Sequence, residues 1–252
     1  MAVPMSLTIV TFGGGTDSTA VCVEMVKRGE PPPHAILFAD TGGERPYTYQ
    51  HIDAFSWWLQ ERGYPSITTV RVEKETLEEM CLRLGVLPSV AYGWKTCSAR
   101  FKVEPQEKWL RNDPGVRAEW DAGRTITKLI GFEYGEERRI RASKDPRMVN
   151  RYPLIEWQMD RDDCLESIRS VGIELPGKSA CFFCPNSKKA EILALRISNP
   201  DLYARAVAME ANATKNTSVK GLGRRWAWSW LTEASEVIDP SAENCDCFDG
   251  DA

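Results

Sequence analysis

Three groups of residues in this chain have types and spacings that suit chemistry. The first is Gly13-Gly14-Gly15-Thr16-Asp17-Ser18. Three successive glycines let the backbone turn tightly and bring bare N–H groups up to an anion. A helix starting there would add its positive end. This is the layout of a phosphate cradle, although it lacks the Gly-Lys-Ser/Thr ending of a P-loop and is not Gly-x-Gly-x-x-Gly. The second group is Gly131-Phe132-Glu133-Tyr134-Gly135-Glu136-Glu137-Arg138-Arg139. Arginine forks suit phosphate and sulfate oxygens, and a carboxylate can orient an arginine or hold Mg²⁺ through water. The third is Cys181-Phe182-Phe183-Cys184-Pro185. Two intervening residues let both sulfurs reach one metal, and zinc, a redox dithiol and an iron–sulfur cluster all fit such a pair.

The hydrophobic pattern supplies elements to hold these groups. Ser6 to Phe12 reads as a strand, and Asp17 to Val26 as the opening of a helix with Asp or Ser near its cap. Ala35 to Ala39 is a short apolar strand ending at Asp40-Thr41-Gly42-Gly43, an acid, a hydroxyl and a glycine turn that as a plain loop would cap the next helix. That helix is expected from about Pro46 to Arg62, stopped by Gly63. Ile67 to Val72 is a third strand, Thr76 to Leu84 a helix closed by Gly85, and Ile126 to Ile130 a fourth strand ending at Gly131. Such alternation predicts an α/β fold, a Rossmann-like parallel sheet covered by helices on both faces. Ligands of such sheets sit beyond the carboxyl ends of the strands, where Gly13–Ser18, Asp40–Gly43 and Gly131–Arg139 all fall. From about Tyr152 the pattern turns to helices, the Cys-x-x-Cys turn and a polar tail. The expected division is therefore an α/β core over residues 1–150 and a mostly helical, cysteine-containing region over 151–252 packed on it.

Several remaining residues read as packing or surface. Trp57 and Trp58 fall within an amphipathic helix and are expected in the core. Cys22 and Cys81 lie in apolar helices, as packing residues do. Arg141, Lys144, Arg147 and Arg151 either face an anionic substrate or lie in an exposed loop. Gly221 to Trp230 interleaves arginine with tryptophan, a pattern that grips phosphates and stacks bases, or else packs alternate tryptophans into a core.

Composition narrows the class. A chain of 252 residues can bury a substantial core. Its 42% hydrophobic and 27% charged residues are the shares of a globular protein in water. No apolar run approaches the ~20 residues that span a bilayer. Met1 to Phe12 has no basic n-region, so no secretory signal is expected and a cytoplasmic location is. A net charge of −4 argues against a stand-alone nucleic-acid coat while leaving room for a local basic face. Eight cysteines in such a setting point to metal or redox chemistry before a disulfide framework.

Gly14, Gly15, Asp17 and Ser18 match the Ser-Gly-Gly-x-Asp-Ser signature of the PP-loop, and the chain resembles the adenine nucleotide α-hydrolases. These enzymes bind ATP or an adenylyl sulfate and typically cleave ATP between its α and β phosphates. Gly13 stands where the signature has its first serine, so one hydroxyl contact to phosphate is missing and a backbone N–H has to serve. Asp40-Thr41-Gly42 is similar to the segment after the second strand of phosphoadenosine-phosphosulfate (PAPS) reductase-like proteins, which implies nucleoside or metal-water contacts for Asp40 and Thr41. Gly131, Glu136 and Arg139 fit that family's Gly-x-x-x-x-Glu-x-x-Arg pattern, which favours Arg139 over Arg138. Thr96-Cys97-Ser98-Ala99-Arg100-Phe101-Lys102-Val103-Glu104-Pro105 resembles the Cys-Cys-x-x-Arg-Lys-Val-x-Pro segment of the iron–sulfur adenylylsulfate reductases, with one extra residue and Thr96 in place of one cysteine. Those enzymes carry a Cys-x-x-Cys at a similar remove to the 83 residues between Cys97 and Cys181 here.

The resemblance implies a 4Fe-4S cluster, with zinc as the alternative, held by Cys97, Cys181 and Cys184. The fourth ligand would be Cys164, Cys245 or Cys247, or one iron stays open as in the iron–sulfur tRNA thiolases. Tyr152 to Trp157, Asp163-Cys164 and Pro176 to Cys181 also look like PAPS reductase-like proteins, particularly those of phages and mobile elements. The resemblance spans about residues 6 to 190.

Sulfonucleotide reductases carry a Glu-Cys-Gly-x-His-like tail with a nucleophilic cysteine. This chain instead has Cys245 and Cys247 beside Glu243 and Asp246, which disfavour a thiolate, and no histidine after His51. The expected function is a PP-loop ATP pyrophosphatase that adenylates a substrate oxygen so that sulfur can replace it. Gly13, Gly14, Gly15, Thr16, Asp17 and Ser18 would hold phosphates, and Asp40 and Thr41 the nucleoside. Gly131, Glu136 and Arg139 would steady the phosphate end with Mg²⁺, and Asp17, Ser18 and Arg139 are the catalytic candidates. The partners implied are an adenine nucleotide, a nucleic-acid acceptor as in tRNA thiolation or DNA phosphorothioation, and a cysteine desulfurase as sulfur donor, in a homodimer or a modification complex. The alternatives are a reductase of adenylyl or phosphoadenylyl sulfate, and a non-catalytic nucleotide- and metal-binding subunit of a modification or defence complex.

Overall fold

The computed structural model describes residues 6–215 and 218–231; Cys245 and Cys247 lie outside the described residues. Five short runs form strands: β1 (Thr8–Phe12), β2 (Ala35–Ala39), β3 (Ile67–Val70), β4 (Ile126–Ile130) and β5 (Met148–Arg151). The helices of the first half are α1 (Thr16–Lys27), α2 (Pro46–Gln60), α3 (Leu77–Leu84), α4 (Thr96–Ser98) and α5 (Glu104–Asn112). They are followed by α6 (Pro114–Asp121), α7 (Pro153–Glu156), α8 (Arg161–Ser170), α9 (Lys189–Ser198) and α10 (Pro200–Asn212). Among the described residues, no helix is long and apolar enough to cross a membrane.

The described residues form two compact units, each with its own core. The first comprises the chain up to Ala39, Pro46–Val70 and Pro105–Ser179. Its five strands are all parallel in the order β3-β2-β1-β4-β5. The chain moves outward from β1 to β3 and then restarts at β4 on the other side of β1. The order therefore reverses between β1 and β4, the place where open α/β sheets bind ligands. Side chains alternate along each strand. Val10, Phe12, Ile36 and Phe38 join Val21 of α1, Phe55 of α2 and Ile168 of α8 in one core, while Ile9, Leu37 and Ile126 join Leu110 of α5 and Val116 of α6 in another. Helices thus cover both faces, as the alternation predicts.

The second unit comprises Asp40–Arg45, Arg71–Glu104 and the described residues from Ala180 onward. A Thr76–Glu79 capping box opens α3 and Gly85, at φ +63°, closes it. Leu77, Cys81, Phe101, Phe183, Met209 and Trp228 share its core. The Arg205 guanidinium of α10 pairs with Glu78 of α3.

The structure divides the chain differently from the boundary expected at residue 150. The sheet takes β5 and the covering helix α8 from beyond that point, and residues 71–104 pack with the C-terminal helices. Strand β5 was not anticipated because it is an edge strand on which Met148 alone is buried, so no apolar run announces it. Trp57 also departs from expectation: it is 70% exposed, and Trp58 is the tryptophan that stacks on Phe55, at 5.4 Å.

Candidate functional site

In the first unit, β1 delivers the chain into Gly13–Gly15 and α1 starts at Thr16. Gly14 is left-handed, at φ +79°, and a Cβ there would stand 3.1 Å from Thr48 Cγ2, so glycine is required. Gly15 is the N-cap of α1 and supplies no side-chain acceptor, which leaves the first N–H groups of the helix for an anion. Ser18 Oγ and Thr19 Oγ1 donate back to the Gly15 carbonyl, at 3.2 and 2.9 Å, and tie the loop to the helix. Thr19 has only one proton to give, so its 3.0 Å contact with His51 makes His51 Nε2–H the donor. Burial pushes the His51 pKa down to about 4, and the ring stays neutral between Phe12 and Phe55. A distant segment also reaches the loop. Ser179 Oγ donates to the Gly13 carbonyl at 2.5 Å, and Tyr47 Oη donates to the Lys178 carbonyl at 2.6 Å.

Gly131, just beyond β4, allows the strand end to pass directly against the first turn of α1. A Cβ there would lie 2.9 Å from Asp17 C and 3.0 Å from Ser18 N. The next residues bring Glu133 and Glu136 to Asp17, with carboxylate oxygens of all three within 4.8 Å of one another. Arg161, the first residue of α8, donates to Asp17 Oδ1 at 3.1 Å. Arg139 donates to Glu136 Oε1 at 2.7 Å and lies 4.0 Å over the Phe132 ring. Glu133 is only 7% exposed, and its Oε2 has no hydrogen-bond partner; neither has Glu136 Oε2. Burial first, and then the charges of Asp17 and Glu136, push the Glu133 pKa up to about 7 against the pull of Arg161. Burial likewise holds Asp17 above its ordinary value despite Arg161. Three carboxyls converging with unpartnered oxygens suit a divalent cation with oxygen ligands, such as Mg²⁺.

Glu133 and Arg161 were not singled out in the sequence. Arg138 is exposed, and much of the basic stretch engages its own acids: Arg147 pairs with Asp145 and Arg151 with Glu156.

In the second unit, Cys97 of α4 and the pair Cys181 and Cys184 line one cavity of about 130 Å³. The Cys-x-x-Cys closes as a tight turn, with the Cys184 N–H donating to the Cys181 carbonyl at 2.9 Å. The charged residues lining the cavity are Lys95, Lys102 and Arg224, with no carboxylate among the lining residues. Thr41 lines it too: its Oγ1 lies 3.0 Å from Cys181 Sγ and accepts from the Gly43 N–H at 3.3 Å. The thiol can donate to this oxygen while Cys181 keeps its proton, and the hydroxyl is the donor once the sulfur is a thiolate. Asp40 Oδ1 accepts from the Gly42 N–H at 2.7 Å, closing the turn as a loop-capping acid does.

Cys164 belongs to α8 of the first unit, where it is fully buried beside Val21 and Ile168 and burial drives its thiol pKa far up. These are the surroundings of a packing residue, shared by Cys22 and Cys81. Gly221 to Trp230 divides residue by residue: Trp228 is in the core, while Arg224 faces the cysteine cavity and donates to Asn186 Oδ1 at 2.7 Å.

No protein-family model matches the chain, and no curated protein matches it. Among solved structures it is similar to the PAPS reductase from Candida auris, determined as a phosphate complex. The TM-score is 0.51 at 16% identity, over 71% of this chain and 82% of that one. It is also similar to the U34-tRNA thiolase NcsA from Methanococcus maripaludis with its 4Fe-4S cluster, at TM-score 0.42 and 14% identity, over 84% of this chain and 73% of that one. At such identity a likeness is one of fold, and it agrees with the expected Rossmann-like α/β architecture.

Proposed function

We propose that the chain is a PP-loop ATP pyrophosphatase that adenylates an oxygen of a nucleic-acid substrate so that sulfur can replace it. The observation that carries this reading is the pairing of an uncapped helix N-terminus with three converging carboxyls, one of them buried without a partner. An anion seat beside a cation seat is what the phosphates of a nucleoside triphosphate require. The N–H groups of the loop and the dipole of α1 take up phosphate charge. Asp17, Glu133 and Glu136 would hold Mg²⁺, which when bound neutralises charge on the leaving pyrophosphate. Arg139 and Arg161 are held at the same corner by Glu136 and Asp17, ready to meet phosphoryl oxygens as charge develops. The substrate oxygen attacks the α-phosphorus, pyrophosphate departs, and AMP later leaves with that oxygen when sulfur attacks.

Cys97, Cys181 and Cys184 fit an iron–sulfur cluster by the chemistry of the donor set: three soft ligands in a cavity whose charged residues are all cations. Such a cluster would supply a site for nucleophilic sulfide; a cysteine desulfurase would deliver persulfide sulfur, which a thiol reductant would bring to the sulfide level with two electrons, leaving as its disulfide. With Cys181 as a thiolate, the Thr41 hydroxyl 3.0 Å away is the donor and steadies negative charge on the sulfur. Trp94 lines the same cavity yet is 69% exposed, so a flat ring stands at its mouth among cations. Rings for bases and cations for phosphates are the means by which single-stranded nucleic acids are held.

The test uses anaerobically purified protein with ATP, Mg²⁺ and tRNA or DNA. Pyrophosphate and AMP should appear, release should be lost in Asp17→Ala, and Cys181→Ser should keep release while losing iron. Sulfite formed from phosphoadenylyl sulfate with a thiol reductant, without ATP turnover, would establish a reductase instead. That second reading is favoured by the fold likeness to the Candida auris enzyme. Nucleotide binding with neither reaction would make the chain a binding subunit.

A further inference from the structure

We infer that Ser179 supplies the phosphate-contacting hydroxyl that the glycine loop lacks at Gly13; this rests on the nucleotide reading of that loop. With glycine at the first position of the signature, an anion in the seat would meet backbone N–H groups and the side chain of Ser18. The fold returns a hydroxyl to the same place from 166 positions further along the chain. Ser179 Oγ donates to the Gly13 carbonyl at 2.5 Å and lies 3.3 Å from where a Cβ on Gly14 would stand. Ser179 Cβ is 3.8 Å from the corresponding point on Gly15. The side chain therefore lies over all three glycines.

Its carrier segment is held in place. Tyr47 Oη donates to the Lys178 carbonyl at 2.6 Å, and a Cβ on Gly177 would come within 2.4 Å of the Tyr47 ring, so glycine is what lets the segment lie flat there. Ser179 itself is half-buried, open enough to meet a ligand. Rotation about its Cβ–Oγ bond moves the proton from the neutral Gly13 carbonyl to a charged phosphate oxygen, and hydrogen bonds to charged acceptors are the stronger kind.

The geometry also provides a rescue. A Cβ on Gly13 would have no neighbour nearer than Ser18 Oγ at 3.8 Å, and Gly13 is not left-handed, so a serine fits at that position. The experiment measures ATP binding with Mg²⁺ by calorimetry for the full chain, Ser179→Ala, Ser179→Thr and the double variant Gly13→Ser/Ser179→Ala. Thermal melting of each variant confirms folding. Ser179→Ala should bind about 10- to 100-fold more weakly, the worth of one hydrogen bond to a charged group. Ser179→Thr should retain affinity, and the double variant should regain it. Ser179→Ala binding as tightly as the parent overturns the inference and leaves the nucleotide reading standing. A loss that Gly13→Ser does not restore also overturns it, because the hydroxyl would then be a pin on the Gly13 carbonyl. No ATP binding by the parent chain would sink both.

Discussion

Glu133→Gln is the most informative single substitution in the first unit, because its effect should depend on pH and on Mg²⁺ with opposite signs. Burial and the neighbouring Asp17 raise the Glu133 pKa from an ordinary 4.5 to about 7. Between those two values the folded protein keeps a proton that the unfolded chain has released, so stability falls as pH rises. The contribution is complete below about pH 4.5 and is lost as pH rises through about 7. At about 1.4 kcal/mol for each tenfold change in proton affinity, the displacement amounts to about 3 kcal/mol. Glutamine keeps the shape, cannot ionise, and can donate to the carboxylates of Asp17 and Glu136. The variant should match the parent near pH 4 and exceed it by about 3 kcal/mol near pH 8, with most of the difference gained in between. Mg²⁺ should narrow the gap at pH 8, since a cation compensates the ionised carboxyl in the parent alone. Urea titrations followed by tryptophan fluorescence, across pH and with or without Mg²⁺, read both effects. A difference that does not change with pH would refute the protonated Glu133. Equal stabilisation of both proteins by Mg²⁺ would remove Glu133 from the cation site.

Two further substitutions test other parts of the argument. Gly131→Ala puts a methyl about 3 Å from backbone atoms of Asp17 and Ser18, so the first turn of α1 has to shift. A stability loss of about 1–3 kcal/mol with weaker ATP binding is expected, and a variant with unchanged melting and unchanged affinity would refute the close packing. Arg224→Gly removes a cation from the cysteine cavity and relieves a left-handed non-glycine residue at φ +62°. Stability should therefore hold or rise by about 1 kcal/mol, while affinity for single-stranded RNA or DNA falls and its dependence on salt weakens by about one phosphate contact. Trp94→Ala should weaken the same binding by about 1–3 kcal/mol, and the exposed Trp57 provides the control; equal affinities would place the acceptor elsewhere.

The fold was legible because its strands are short, apolar and separated by amphipathic helices, and parallel sheets bury such strands on both faces. The edge strand β5 escaped notice for the converse reason, since an edge needs little apolar character. Part of the candidate site was legible by the same logic. Gly13–Ser18 and Gly131–Arg139 follow β1 and β4, neighbours in the sheet, so their meeting follows from strand order. What escaped were residues whose roles depend on burial. Glu133 sits in a run of charges that reads as solvated, yet it is turned inward with Phe132 while Glu137 and Arg138 face outward. Arg161 and Ser179 matter through single contacts made across the fold, and no local pattern marks either.

Thr41 shows what the strand-end rule leaves out. It follows β2 by two residues, and the family resemblance implies a nucleoside or metal-water contact there. Backbone pairing gives it a further neighbour, because the Thr41 carbonyl accepts from the Leu77 N–H at 3.0 Å and the Gly43 carbonyl from the Phe182 N–H at 2.7 Å. Buried carbonyls take the donors available to them, and here those donors come from α3 and the Cys-x-x-Cys turn. The hydroxyl of Thr41 is thereby delivered to Cys181. A segment that leaves the sheet thus becomes part of the wall around the thiols, and its chemistry is set by the carbonyls it has to satisfy.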